Sequence, residues 1–529
     1  MPIRSNVAGH IRGLSSKSAD LSGLAATCFL AIAMSGATAS GQTTQNDGSS
    51  GESVEQVNLT DDQQADQPIE ERPFDLNTPD EPPPPANLPG PKYSNLRFND
   101  DFSYLDGEPG SYIEDRFDPI KNIHLDENWR LSLGGEVRIR MESSTNVGFG
   151  ASTLTQDNYQ LYRSFMHFDL KYRDTARFFL QVGSALISSR SLPPRGIDEN
   201  RFAFQQFFFD LKPFGDGTPL TVRVGRQDLQ YGRQRFVSPL DWANTRRRFD
   251  AVKIFWHEDN FEFDVFYSKP VVIRRRQVDR WQEDVDFYGA YFVYKGIPRH
   301  KFDLFFFGQD DTRGTTNPNG NFGDMSRYTL GALFEGKTGN FDYNAFVAGQ
   351  WGRWSGDTIQ AWAWGVDGGY TFTDCSWKPR IGAGFDWASG DENPLDGKVG
   401  TFDQLFPLGH AYMGLLDLFA RQNLNAVHVD ITAWPVAKKV KAKLAYHAFW
   451  LNAKRDALYA VTGAPGRRDV TGNSGTELGH ELDLTVVWKI DRHQSMLFGY
   501  SHFWDSSFIT NTGFSDDPDL FYVQYAFKF

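Results

Sequence analysis

The last ten residues, Leu520 to Phe529, constrain the fold most. Phe521, Val523, Tyr525, Phe527 and Phe529 fall on one face and Tyr522, Gln524, Ala526 and Lys528 on the other, the period of two that marks a β-strand. One face is wholly apolar, and no helix follows to cover it. In water such a strand is an aggregation-prone edge. In a bilayer it is the closing strand of a barrel, paired with its predecessor on one side and with the first strand on the other. The rest of the chain must then supply the strands it closes against.

Composition agrees. The mean hydropathy of -0.48 is too polar for a helical membrane protein, and no apolar run after the N-terminus reaches the roughly 18 residues of a spanning helix. Yet 15% of the residues are aromatic, 45 of them Phe, a combination produced by strands with one face to lipid and one to water. A net charge of -13 argues against nucleic-acid binding.

The N-terminus reads as an export signal over 1–39. Arg4, Arg12 and Lys17 precede an apolar core from Leu24 to Met34, and Ala37, Thr38 and Ala39 offer a small-residue cleavage site. Cys28 leaves with that core, so Cys375 has no intrachain disulfide partner. Residues 40–91 are rich in Gln, Asp, Glu, Ser and Pro and include Asp80, Glu81 and Pro82 to Pro85. Such a stretch cannot bury enough to offset its ordering entropy and is expected to be a disordered acidic spacer. Because it holds much of the excess negative charge, the net charge says little about the folded part. Residues 92–126 form an N-terminal periplasmic segment with scattered aromatics, and the barrel is expected over 127–529.

From Trp129 the alternation is regular. Leu131, Leu133, Val137, Ile139 and Met141 interleave with Arg130, Ser132, Glu136, Arg138, Arg140 and Glu142, giving a lipid face and a wet face on one strand. Continuing the count predicts an all-β fold, a transmembrane antiparallel barrel of eighteen strands. They lie at about 128–142, 159–172, 175–187, 202–213, 218–229, 248–257, 260–269, 284–295, 300–310, 326–336, 339–353, 358–373, 377–390, 423–435, 438–452, 477–490, 492–504 and 519–529. Tight turns such as Arg173-Asp174 and Glu258-Asp259 alternate with long links such as 230–247 and 391–422, and only Ser355-Gly356 breaks the rule. Short periplasmic turns with long extracellular loops are the pattern of outer-membrane barrels. Eighteen strands enclose more space than wall side chains fill, so an aqueous channel is expected unless loops plug it.

Parity places Arg138, Arg140, Arg163, Lys171, Arg177, Arg223, Lys253, Arg380, Lys441 and Lys443 on the wet face, with Glu136, Glu142, Asp169, Glu262, Asp264, Asp386, Asp430, Glu481 and Asp483 among them. Opposite charges on adjacent strands can simply tie the wall together. Surplus Arg and Lys can also act as weak, replaceable sites for a passing anion. The densest stretch, residues 224–252, runs from one strand into a loop bearing Arg226, Arg233, Arg235, Asp241, Trp242, Arg246, Arg247 and Arg248 and back into a second strand. The parity slips there, which points to a bulge or an inward fold; the segment can be a surface loop with its own internal pairs, or in a wide barrel it can narrow the pore and set carboxylate-binding guanidinium groups across it.

The succession Gly225-Arg226-Gln227, Gly232-Arg233-Gln234-Arg235, Asp241-Trp242 and Phe249-Asp250 resembles the alginate export family of outer-membrane barrels. So does the segment Phe385 to Pro394 with its Ser389-Gly390-Asp391 loop, followed by Thr401 to Pro407 and Gly414-Leu415-Leu416-Asp417. The resemblance covers about 127–529. It implies an 18-stranded barrel that passes an alginate-like polyuronate outward through an arginine-rich pore, fed by periplasmic export proteins. The expected partners are therefore an acidic polysaccharide and outer-membrane lipid, with the barrel a monomer. An uptake or general-diffusion porin is the alternative, and an outer-membrane enzyme or adhesin a more distant one. His167, His428, His447, His480 and His502 have no motif pairing them to a nucleophile, and Asp391, Asn393 and Leu395 fail a calcium loop at the third ligand. Neither catalysis nor a metal or cofactor is expected.

Overall fold

The structure is a computed structural model that describes residues 88–152 and 154–529. The expected export signal, Cys28 and most of the acidic spacer lie outside the described residues. Among the described residues, eighteen long antiparallel strands form one closed sheet. They are β1 (Trp129–Thr145), β2 (Gln156–Tyr172), β3 (Ala176–Ser188), β4 (Asn200–Leu211), β5 (Leu220–Gln227), β6 (Phe249–His257), β7 (Phe261–Val272), β8 (Val285–Tyr294) and β9 (His300–Thr316). The second half comprises β10 (Phe322–Thr338), β11 (Phe341–Trp354), β12 (Asp357–Thr371), β13 (Arg380–Ala388), β14 (Leu424–Val436), β15 (Val440–Leu451), β16 (Glu477–Lys489), β17 (Gln494–Asp505) and β18 (Asp519–Lys528). Each expected strand is present. The C-terminal strand closes the sheet against β1 in a register running from Glu136 opposite Lys528 to Thr145 opposite Asp519. Closure leaves no unpaired edge in the membrane, where an unsatisfied peptide group costs several kcal/mol.

The pleat sorts the side chains. On β1, Met141 is 54% exposed to the outside and its neighbour Arg140 1%. Trp351, Trp362, Trp364 and Trp504 also lie exposed on the outer face, where indole rings suit the lipid headgroup level. The short outer link Ser355-Gly356 is a two-residue turn with both φ positive, at 53° and 91°, the geometry that joins right-twisted strands most tightly.

Inside, the barrel is neither empty nor filled with hydrocarbon alone. Two extracellular links, residues 228–248 and 389–423, turn into the lumen and bind each other. Phe406 N donates to Phe236 O (2.8 Å), Ser238 N to Phe406 O (2.9 Å) and Leu408 N to Gln234 O (2.9 Å). Their apolar side chains pack on an aromatic stretch of the inner wall. Tyr231 stacks on Tyr291 with ring centroids 4.7 Å apart, Phe236 meets Phe305 at 5.2 Å, and Phe406 sits 4.7 Å from Phe287. Nearer the outer rim, Phe149, Phe419, Phe449, Phe503, Phe508 and Ile509 form a second buried cluster.

Candidate functional site

The candidate site is the lumen, and three chain segments shape it. From the periplasmic end, residues 88–122 enter the mouth. Arg97, 3% exposed, donates to the carbonyl oxygens of Gly135 (3.0 Å) and Phe529 (2.8 Å), fastening the segment to the seam between first and last strands. Phe98 packs edge-on against Phe179 and Phe208 of the inner wall. Arg177 on β3 donates to Phe98 O (2.6 Å), and Arg246 of the first inward loop to Asn95 O (2.9 Å). Lys121 donates to Leu133 O and lies over the rings of Phe102, Phe529 and Tyr93. Burial and the nearby Arg97 guanidinium pull its ammonium down to about 7.

At mid-height the two inward loops are bolted to the wall. On the β1–β2 side, wall arginines grip loop oxygens. Arg138 donates to Asp241 O (2.7 Å) and Ala243 O (2.6 Å), and Arg140 to Trp242 O (2.8 Å). Arg163 spans Glu136 (2.9 Å) and Asp241 Oδ1 (2.9 Å). Burial alone would raise the Asp241 carboxyl, but the guanidinium groups of Arg163, Arg246 and Arg138 hold it well below the usual carboxylate range. Arg246 also pairs with Asp228 at 2.9 Å, and Arg247 donates to Phe406 O (2.5 Å), joining the two loops. Trp242 is stacked between the Arg140 guanidinium, 3.8 Å from its ring, and His410, whose ring centroid is 3.7 Å away.

On the opposite side the polarity is reversed, with loop arginines reaching wall acids. Arg235 binds Asp367 (2.6 Å), Asn344 (3.0 Å) and Asp386 (3.2 Å), and Arg421 binds Asp386 (3.1 Å). Arg233 pairs with Glu335. Tyr412 lies against the Arg235 guanidinium at 4.1 Å. Further along the wall, β16 presents Glu481 and Asp483 to the second loop, accepting from Leu416 N (2.9 Å) and Leu415 N (3.3 Å). Gly414 permits this approach. Its φ is +80°, and a Cβ there would stand 2.4 Å from Glu481 Oε2.

The remaining sequence-derived candidates fall into three groups. Arg223 forms a two-point pair with its cross-strand partner Asp210 (2.7 and 2.8 Å), and Lys253 pairs with Asp264 (2.6 Å). Lys171, Arg380, Lys441 and Lys443 are half-buried. Lys171 lies 3.7 Å from Asp169 with 38% of its side chain exposed. Arg380 grips Asp342 at 2.7 and 2.9 Å and nears Asp430 at 3.4 Å. Lys443 shares a row with it through Thr432, which stands opposite both, and Lys441 follows two residues away on the same face. Arg226 stands apart. It lies across from exposed Phe207, next but one to exposed Val224, and pairs with Asp250 at 2.7 Å. The register puts it on the outward row, not in the lumen.

Sequence reasoning did not single out Arg97, Lys121, Tyr412 or Arg421. Arg97, Lys121 and Tyr412 lie in irregular segments, and Arg421 in a loop between strands. Alternation cannot say where such side chains point.

Residues 129–523 match the family described as alginate export. No curated protein matches significantly. Among solved structures the fold is similar to Pseudomonas aeruginosa OccD3 (OpdP), at 12% identity and TM-score 0.51, covering 75% of this chain and 91% of that one. It is similar also to OpdQ of the same organism, at 12% identity and TM-score 0.50 with 75% and 97% covered. Acinetobacter baumannii OccAB2 gives 10% identity and TM-score 0.50, with 75% and 98% covered. At such identities the likeness concerns the fold alone.

Proposed function

The chain belongs to the alginate export family and is an outer-membrane β-barrel channel, and on that premise we propose that it passes an acidic, alginate-like polysaccharide outward past Arg and Lys side chains of the lumen. The observation that supports the reading is that lumen arginines, on the wall and on the first inward loop, divide their donors between carboxylates, as Arg140 does with Glu142 (2.6 Å) and Arg177 with Asp169 (2.6 Å), and neutral carbonyls. Arg138, Arg140, Arg177, Arg246 and Arg247 all donate to main-chain carbonyl oxygens of inserted segments. A carboxylate is a stronger acceptor for guanidinium than a neutral carbonyl. A uronate that reaches these groups can therefore replace the carbonyls as the segments give way. Arg380, Lys441 and Lys443 extend the basic track along a less crowded stretch of wall, with Asp342 and Asp430 close enough to keep binding weak. Conduction needs this balance of entry and release. Of the candidate residues, Arg226 faces outward and is not part of the proposed track.

Reconstitution of the full chain in planar bilayers tests this. Anion preference is expected, with current reduced by added oligouronates, and Arg380→Gln is expected to shift the reversal potential toward cations. Cation preference with no response to oligouronates would refute the reading.

A further inference from the structure

A second group of arginines stands on the outside of the barrel. β5 and β6 are 8 and 9 residues long, whereas β1 and β2 have 17 each, because the chain leaves the wall at Asp228 to enter the lumen. Residues 273–284 cover the notch this leaves. Arg201 N donates to Arg275 O (3.1 Å) on the β4 side, and Gln282 N to Pro270 O (2.8 Å) on the β7 side. Asp279, 5% exposed, anchors the loop by accepting from Asn200 Nδ2 (2.7 Å) and from Arg248. The short strand Arg280–Trp281 pairs with Val271 and Val272, the end of β7.

The loop thus continues the outer surface whose exposed residues include Phe202, Phe204, Phe207, Val224, Val252, Tyr267 and Trp281. On it stand Arg274, Arg275, Arg276 and Arg280. The Arg274 guanidinium binds Gln277 Oε1 (3.1 Å), and that of Arg275 binds the carbonyls of Pro194 and Arg195. Arg276 and Arg280 are exposed. Asp279 Oδ1 accepts from the Arg274 N–H (2.6 Å), but none of the four guanidinium groups has a carboxylate partner among the described residues. The acids around them are otherwise engaged or displaced. Asp279 is taken by Arg248, Glu199 pairs with Arg201 at 2.9 Å, and Glu283 and Asp284 lie where the loop returns to β8.

We infer that this patch binds the phosphate groups of an anionic glycolipid of the outer leaflet. Planar guanidinium donors fit phosphate oxygens two at a time. Cations at the upper border of an apolar, aromatic-rich band meet the membrane at headgroup depth. The patch faces away from the lumen, so polymer inside the channel does not reach it. A lipid phosphate would also seal the thinnest part of the wall, where the sheet gives way to a loop.

The test uses the full chain in mixed micelles. The probes are a bis-phosphorylated glucosamine-disaccharide lipid and its dephosphorylated counterpart, and retained lipid is counted by native mass spectrometry. The wild type is expected to retain the phosphorylated lipid about tenfold better or more. The R276E/R280E variant is expected to lose that preference, and R276K/R280K to keep part of it because the charge remains. R276Q/R280Q repeats the measurement without charge reversal, in case the reversed variant does not close its barrel. Equal retention of both lipids, unchanged retention by the Gln variant, or displacement of the lipid by soluble oligouronate at this patch would overturn the inference.

Discussion

The two inward loops are fastened to the barrel wall in opposite senses on its two sides. Near β1 and β2 the wall supplies the cations and the loop supplies mostly neutral oxygens, as Arg138 finds in the carbonyls of residues 241 and 243, with the Asp241 carboxylate on Arg163 as the charged contact. Near β10 to β13 the loops supply the cations and the wall supplies carboxylates, half-buried Asp367 and buried Asp386, both held by Arg235. A carbonyl deprived of its donor can turn to water or relax with its loop. A buried carboxylate deprived of its cation cannot, because its charge remains in a poorly solvated place. Removing one guanidinium therefore strands less charge at the β1–β2 junction, where carbonyls outnumber the wall-bound Asp241 carboxylate, than at the β10–β13 junction.

Three measurements break or sharpen that comparison, in order of expected size. Arg235→Ala takes the cation from Asp367, which keeps only the Asn344 amide, and leaves buried Asp386 with Arg421 alone, for an expected loss of roughly 3–5 kcal/mol. Chemical unfolding of the barrel in detergent reads this, and a loss below that of the next variant would remove the asymmetry. Arg138→Gln strands only carbonyl oxygens and relieves repulsion with Arg140 and Arg163, so the same measurement should give roughly 1–3 kcal/mol. In bilayers it should open the channel more often, whereas Arg235→Ala should make the current noisy or abolish it.

The smallest effect is one of pH, at the periplasmic mouth, where residues 88–122 are also held by carbonyl acceptors. Lys121 has a folded pKa near 7, below its ordinary value when undocked. Between those values the undocked segment carries the extra proton, so docking strengthens as pH rises from about 7 toward 10 and is weakest at and below 7. Protease sensitivity within 88–122 should therefore fall as pH rises over that window, by at most about tenfold per pH unit. Lys121→Met should flatten the profile. A wild-type profile that runs the other way would show that the ammonium is not the group being desolvated.

How legible this was in the sequence differs from region to region. The strands and their two faces follow from local rules. Val137, Ile139 and Met141 interleaved with Arg138, Arg140 and Glu142 can satisfy lipid and water in only one way, and a strand ending in Phe529 needs a partner that only β1 provides. The break in parity after Gly225 also marked the place where the chain departs the wall. There φ is +132°, and a Cβ would meet Phe207 O at 2.3 Å. What lay beyond that break was not legible. Arg226 and Arg235 sit in the same arginine-dense stretch, yet one pairs with Asp250 on the outer face and the other reaches Asp386 across the lumen.

The reason is the range of the forces involved. Alternation is a contract between each residue and its immediate solvent, so the amino-acid order alone determined an eighteen-strand cylinder, its inside and its outside. Which arginine meets which oxygen depends on the summed path of loops that have no period, across separations such as the 151 residues between Arg235 and Asp386. Only the closed barrel, by bringing those distant groups within 3.2 Å where little water competes, decided which positive charges bind the loops, which pair along the inner wall and which stand on the outer face.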